Sequence, residues 1–76
     1  MSKNAERKIA DLLNQKKVTA IEVATVCWLM DPKYVRELGY EYARIGGHYV
    51  PDENLENDDD TVWAFSGGFL SFLQEM

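Results

Sequence analysis

Val18-Thr19-Ala20-Ile21-Glu22-Val23-Ala24-Thr25-Val26-Cys27-Trp28-Leu29-Met30-Asp31-Pro32-Lys33 carries two helix start signals in one short stretch. Thr19 and Glu22 have the spacing of a capping box, in which each side chain satisfies a backbone donor of the first turn. Ile21, Val23, Ala24, Val26, Cys27 and Leu29 then make a mostly apolar helix, predicted over 19–30 and central in the core. Asp31 can cap a following helix whose first position Pro32 fits. Pro32 also forces Asp31 out of the helical region, so the earlier helix must end by about Met30.

The pattern extends in both directions. Upstream, Ala5, Ile9, Leu12 and Leu13 share one stripe at helical spacing, which predicts an amphipathic helix over 5–15. Lys16 and Lys17 suit the negative end of its dipole. Downstream, Val35, Leu38, Tyr42 and Ile45 form the inner stripe of a third helix over 32–45. Gly39 weakens that helix by about 1 kcal/mol relative to Ala, which a second helix packed close at that point would explain. Gly46-Gly47 stops it.

His48-Tyr49-Val50 reads as a short strand ended by Pro51, and Thr61-Val62-Trp63-Ala64-Phe65 as a second strand by composition. With the polar residues 52–60 as its tip, this is a hairpin over 48–65. Ser66-Gly67-Gly68 reads as a break. Phe69, Leu70, Phe72, Leu73 and Met76 follow at helical spacing in a short helix over 67–76. These apolar residues pack on the domain or form a dimer contact with a second copy. The expected fold class is α+β, mostly α: one domain over 1–76, with a three-helix core, a β-hairpin and a short C-terminal helix.

Composition bounds the function. The chain has 76 residues, 46% of them hydrophobic, and a net charge of −5. Every Lys and Arg lies before residue 45. Residues 1–17 hold five bases and two acids, for +3, and residues 18–50 hold three bases and four acids, for −1. Residues 51–76 hold seven acids and no base, for −7. A single cysteine, Cys27, excludes an internal disulfide and suits a reducing cytoplasm. A charged N-terminus without an apolar h-region does not resemble a signal peptide, and no apolar run is long enough to cross a bilayer. The expectation is a soluble, cytoplasmic chain without membrane contact.

No catalytic constellation is visible. His48 reads as a strand-edge residue, and one His with one Cys does not make a zinc site. Neither a metal nor a cofactor is expected, and the chain is not expected to be an enzyme. The segment Asp52, Glu53, Glu56, Asp58, Asp59 and Asp60 has three readings: a solvated hairpin tip, a protein-binding or phosphate-mimicking patch, and a calcium loop. The last lacks the glycine of the sharp turn, replaced by Asn57, and the closing Glu, replaced by Trp63.

The stretch Val18-Thr19-Ala20-Ile21-Glu22-Val23-Ala24 resembles the opening of the second helix in winged helix-turn-helix domains. Leu29 to Leu38 resembles their turn and recognition helix, and Gly47-His48-Tyr49-Val50 the strand that begins their wing. Small phage and plasmid regulators often have this layout. The resemblance covers about residues 5–65 and departs from the family at two points. The connection before Asp31 is apolar and lacks the usual glycine, and the wing tip is acidic. It implies a transcription regulator that binds double-stranded DNA, with the third helix in the major groove. Lys33, Tyr34, Arg36, Glu37 and Tyr40 would then face base edges. Lys3, Arg7, Lys8, Lys16, Lys17 and Arg44 would hold phosphates. Such domains commonly dimerise, which gives the apolar C-terminal residues a possible partner. The alternative is an interaction or inhibitor module of the same fold. It would use residues 52–60 to occupy a basic site on a nucleic-acid-processing protein.

Overall fold

The computed structural model describes residues 3–76, apart from the side chains of Lys3 and Ala5. The phosphate contact expected of Lys3 and the stripe position of Ala5 therefore lie outside the described residues. Five helices and two short strands follow in the order α1 (Lys3–Leu13), β1 (Lys17–Thr19), α2 (Ala20–Val26), α3 (Pro32–Arg44), β2 (His48–Val50), α4 (Glu53–Asp58) and α5 (Asp60–Glu75). The chain is α+β and mostly α.

Both start signals form. The Glu22 N–H donates to the Thr19 hydroxyl at 3.4 Å, and the Thr19 N–H donates to the Glu22 carboxylate at 3.2 Å. The Asp31 carboxylate accepts from the Lys33 N–H at 3.0 Å, with Pro32 opening α3. Helix α2 is shorter than its apolar pattern. It stops at Val26, and Cys27 to Met30 form the connection.

The hairpin wing is not formed. Strand β2 pairs instead with β1, in parallel, with Lys17 opposite His48, Val18 opposite Tyr49 and Thr19 opposite Val50. Parallel strands need a crossover, and α2 and α3 supply it. Residues 61–65 lie inside α5, and residues 53–58 are helical. The expected break at Ser66-Gly67-Gly68 is in the middle of α5, so the helix expected over 67–76 is the second half of a longer one. Two aspartates start these helices. Asp52 accepts from the N–H groups of Asn54 and Leu55, and Asp59 from those of Thr61 and Val62. Each satisfies donors that a first turn leaves orphaned.

Helix α5 packs along α3 as the most extensive contact in the molecule. Gly39 and Gly68 permit it. A Cβ on Gly39 would stand 2.1 Å from the Phe65 carbonyl oxygen, and one on Gly68 would stand 1.9 Å from that of Arg36. The core gathers Leu12, Val18, Val23, Cys27, Val35, Tyr42, Val62 and Phe65, all fully buried. Ile45, expected inside, is exposed. The Tyr42 hydroxyl donates to the Gln15 carbonyl at 2.7 Å, and the Tyr49 and Ser66 hydroxyls share a buried hydrogen bond of 2.7 Å. The two tyrosines thus bring polar tips into an apolar centre without leaving them unpaired.

Candidate interaction face

Helix α5 packs beside the face of α3 that was expected to read DNA, and Lys33, Arg36, Glu37 and Tyr40 line one groove with Gly68, Ser71 and Glu75 of α5. The Arg36 guanidinium donates to the Ser71 hydroxyl at 3.2 Å. Tyr40 stacks edge-on with Phe72 at 5.4 Å and donates its hydroxyl to the Glu75 carboxylate. That bond raises the Tyr40 phenol above its usual pKa. Arg44 is paired with Glu41, whose carboxyl is lowered by the bond. Tyr34 is half-buried against the core. Lys33, Arg36 and Glu37 remain exposed on α3.

Lys33 and Arg36 come together, and the other basic residues lie apart from them. Lys33 and Arg36 line a groove with Pro32, Asp60, Trp63 and Ala64. Lys16 lines another with Tyr42, Ile45 and Gly46, at the far end of α3. The rise of the helix separates Lys33 from Ile45 by about 18 Å. Lys17 is exposed on β1, and Arg7 and Lys8 are exposed on α1. An aspartate, Asp60, shares the groove of the two bases nearest the start of α3.

The acidic segment has a definite shape. Asp52 and Asp59 are helix caps, and the hydrogen bond from the Thr61 hydroxyl to Asp59, at 2.5 Å, is the main reason its carboxyl titrates low. Glu53, Asp58 and Asp60 are exposed, and Glu56 is half-exposed. Among the described residues, no three His, Cys, Asp or Glu side chains converge as metal ligands.

An apolar band adjoins these acids. Ile21 is 63% exposed, Trp28 70%, Leu29 81% and Trp63 59%. Trp28 belongs to two adjoining grooves. One is lined by Ile21, Ala24, Thr25, Leu55 and Asp59, the other by Leu29, Met30, Pro32, Asp58, Asp59, Asp60 and Thr61. Pro32 and Asp60 continue the band to Trp63. Both tryptophans of the chain therefore flank the acidic junction of α4 and α5.

The sequence pattern missed this band. Trp28 and Leu29 look like the end of an apolar helix, and Trp63 like a strand residue. The available signal was an apolar connection directly before Asp31-Pro32, where a solvated turn would carry Gly, Asn or Ser. Leu29 occupies that connection with a φ of 63°, a left-handed conformation uncommon for a bulky residue.

The other sequence candidates divide. Phe69 packs on the rings of Tyr42 and Tyr49, and Phe72 on Tyr40, so both are engaged within the chain. Leu70, Leu73 and Met76 are exposed on α5. His48 is exposed on β2. Cys27 is fully buried, and burial pushes its thiol up to about 11, which makes it inert as a nucleophile at neutral pH. No helix among the described residues is long and apolar enough to cross a membrane. No family model matches the chain, nor does any curated protein or solved structure.

Proposed function

We propose that the protein is a non-enzymatic interaction module that docks on a basic, partly apolar site of another protein. The observation that carries this reading is the contiguity of Trp28, Leu29 and Trp63 with Asp58 and Asp60 on one face. Large exposed aromatic groups beside polar ones are the usual makings of a binding hot spot. The acids steer a basic partner towards the face, and the apolar groups supply affinity once water is expelled. A phosphate-binding site on a nucleic-acid-processing protein has the complementary chemistry.

The regulator reading is supported by the helix start signals and by the groove that Lys33, Arg36, Glu37 and Tyr40 line together. Against it stand the position of Asp60 beside Lys33 and the separation of Lys16 from the start of α3. A face that binds duplex DNA gains affinity by neutralising phosphates, and here the acids interrupt it.

Two selections on the 76-residue chain separate the readings. A randomised peptide display should enrich sequences that combine Arg or Lys with Leu, Phe or Trp. Those clones should be lost on a chain carrying Trp28→Ala, Asp58→Asn and Asp60→Asn. A randomised duplex pool at low salt should give no enriched site. An enriched DNA site that disappears with Lys33→Ala, or enriched peptides without basic residues, would overturn the proposal.

A further inference from the structure

The groove between α2 and α4 adds detail about the partner. One wall is Ile21, Ala24 and Thr25 from α2, with Trp28 continuing it, and the other is Leu55 of α4 and the cap residue Asp59. From Ile21 to Thr25 the α2 wall runs about 6 Å, or one helical turn, and Trp28 extends it beyond the helix end. We infer that this groove seats an amphipathic basic helix of a partner protein, with its apolar side chains on Ile21, Trp28 and Leu55 and an Arg or Lys against Asp59. The inference rests on the interaction-module reading above and specifies its occupant.

A helix suits the groove for a backbone reason. The walls are side chains of two helices, of the Trp28 turn and of the cap residue Asp59. The groove offers no strand edge for the peptide groups of an extended segment to pair with. A helix brings those groups already satisfied and presents only side chains, as in helix-in-groove recognition.

Charge selects a basic helix. Asp58, Asp59 and Asp60 stand at the Trp28 end of the groove. Asp59 accepts all of its hydrogen bonds on Oδ1, which leaves Oδ2 for a donor on the occupant. A second copy of this chain is a poor occupant. Its net charge is −5, and its two amphipathic helices with an excess of bases, α1 and α3, already bury Ile9, Leu12, Val35 and Leu38 in its own core.

The test uses three synthetic peptides built from Leu, Lys, Arg and Ala with equal charge, titrated into the 76-residue chain by tryptophan fluorescence and calorimetry. One has amphipathic order, one is scrambled to remove the helical period, and one keeps the order but has a Pro in place of its central Ala. The ordered peptide should bind at least about tenfold tighter than the other two and gain helical circular dichroism on binding. Ile21→Lys and Trp28→Ala should each weaken it by about tenfold or more. Both residues are exposed, so the variants should keep the dichroism of the parent chain.

Equal binding of all three peptides, reduced alike by Asp58→Asn with Asp60→Asn, would overturn the helix and leave the basic-partner reading standing. Tight binding of the ordered peptide that Ile21→Lys leaves unchanged would place the seat elsewhere and overturn the inference. Self-association abolished by Ile21→Lys would make the occupant a second copy and overturn it too. If none of the peptides binds, both readings fall.

Discussion

Leu29 is placed against two preferences at once. Its φ of 63° sets its Cβ against the backbone, and its side chain is 81% exposed to water. The cause of the backbone conformation is local. Pro32 confines Asp31 to an extended conformation, seen at φ −62° and ψ 121°. The chain must therefore turn between Cys27 and Met30, and the Met30 N–H donates to the Cys27 carbonyl at 3.0 Å to close that turn. A glycine there would avoid the strain. Left-handed backbone costs an L-residue about 1–2 kcal/mol, and the extra unfolded-state freedom of Gly offsets part of that. Leu29→Gly should therefore stabilise the fold by about 0.5–1 kcal/mol, while weakening a basic peptide enriched on the face of Trp28, Leu29 and Asp58. Thermal unfolding read beside the titration checks both signs. A lower melting temperature would mean that the turn holds Leu29 without strain.

Among the elements, two adjacent glycines of α5 have opposite expected effects. A Cβ on Gly67 would meet only the Arg36 guanidinium at 3.8 Å, an ordinary contact. Gly67→Ala should thus stabilise by up to about 1 kcal/mol, through helix propensity. On Gly68 the same methyl would strike the Arg36 backbone, which cannot move without parting α3 from α5. Gly68→Ala should destabilise by about 3 kcal/mol. Urea unfolding of the two variants tests the pair, and a matching sign would show that the helices are not packed backbone to backbone. The Gly39 contact was legible in the sequence, because a glycine inside a periodic helix implies a close neighbour. Its partner was not, since Thr61 to Phe65 is β-branched and aromatic, a composition that also fits a strand. Tertiary context decides such a segment. Here Asp59 caps it, and Val62, Phe65 and Phe69 fall on one helical face towards the core. Strand β1 was hidden for a similar reason. Three residues carry too little period to be read, and the partner β2 lies two helices away. The apolar face around Trp28 was illegible because an exposed Trp and a core Trp look alike in a run of apolar residues.

For the whole molecule, the distribution of charge has consequences of opposite sign for folding and for binding. Among the described residues, Arg44 with Glu41 is the one ion pair, and both side chains are about half-exposed. Attraction of that kind contributes little. Repulsion is concentrated, since Asp58, Asp59 and Asp60 are consecutive and Asp59 serves as a cap best when ionised. Salt screens exposed charges over a Debye length of about 8 Å at physiological strength and of about 30 Å at 0.01 M. Raising sodium chloride across that range should therefore raise the melting temperature by a few degrees. The same rise should weaken the basic peptide, whose approach depends on the field that salt removes. Asp58→Asn with Asp60→Asn should flatten both dependences, because it removes the repulsion and the attraction together. Unfolding scans and peptide titrations at matched salt read the two slopes. A melting temperature that falls with salt would mean that attractive pairs dominate the fold, and the acids would then owe their place to stability. If it rises instead, the acids stand there at a cost to the fold, and binding a basic partner offsets that cost.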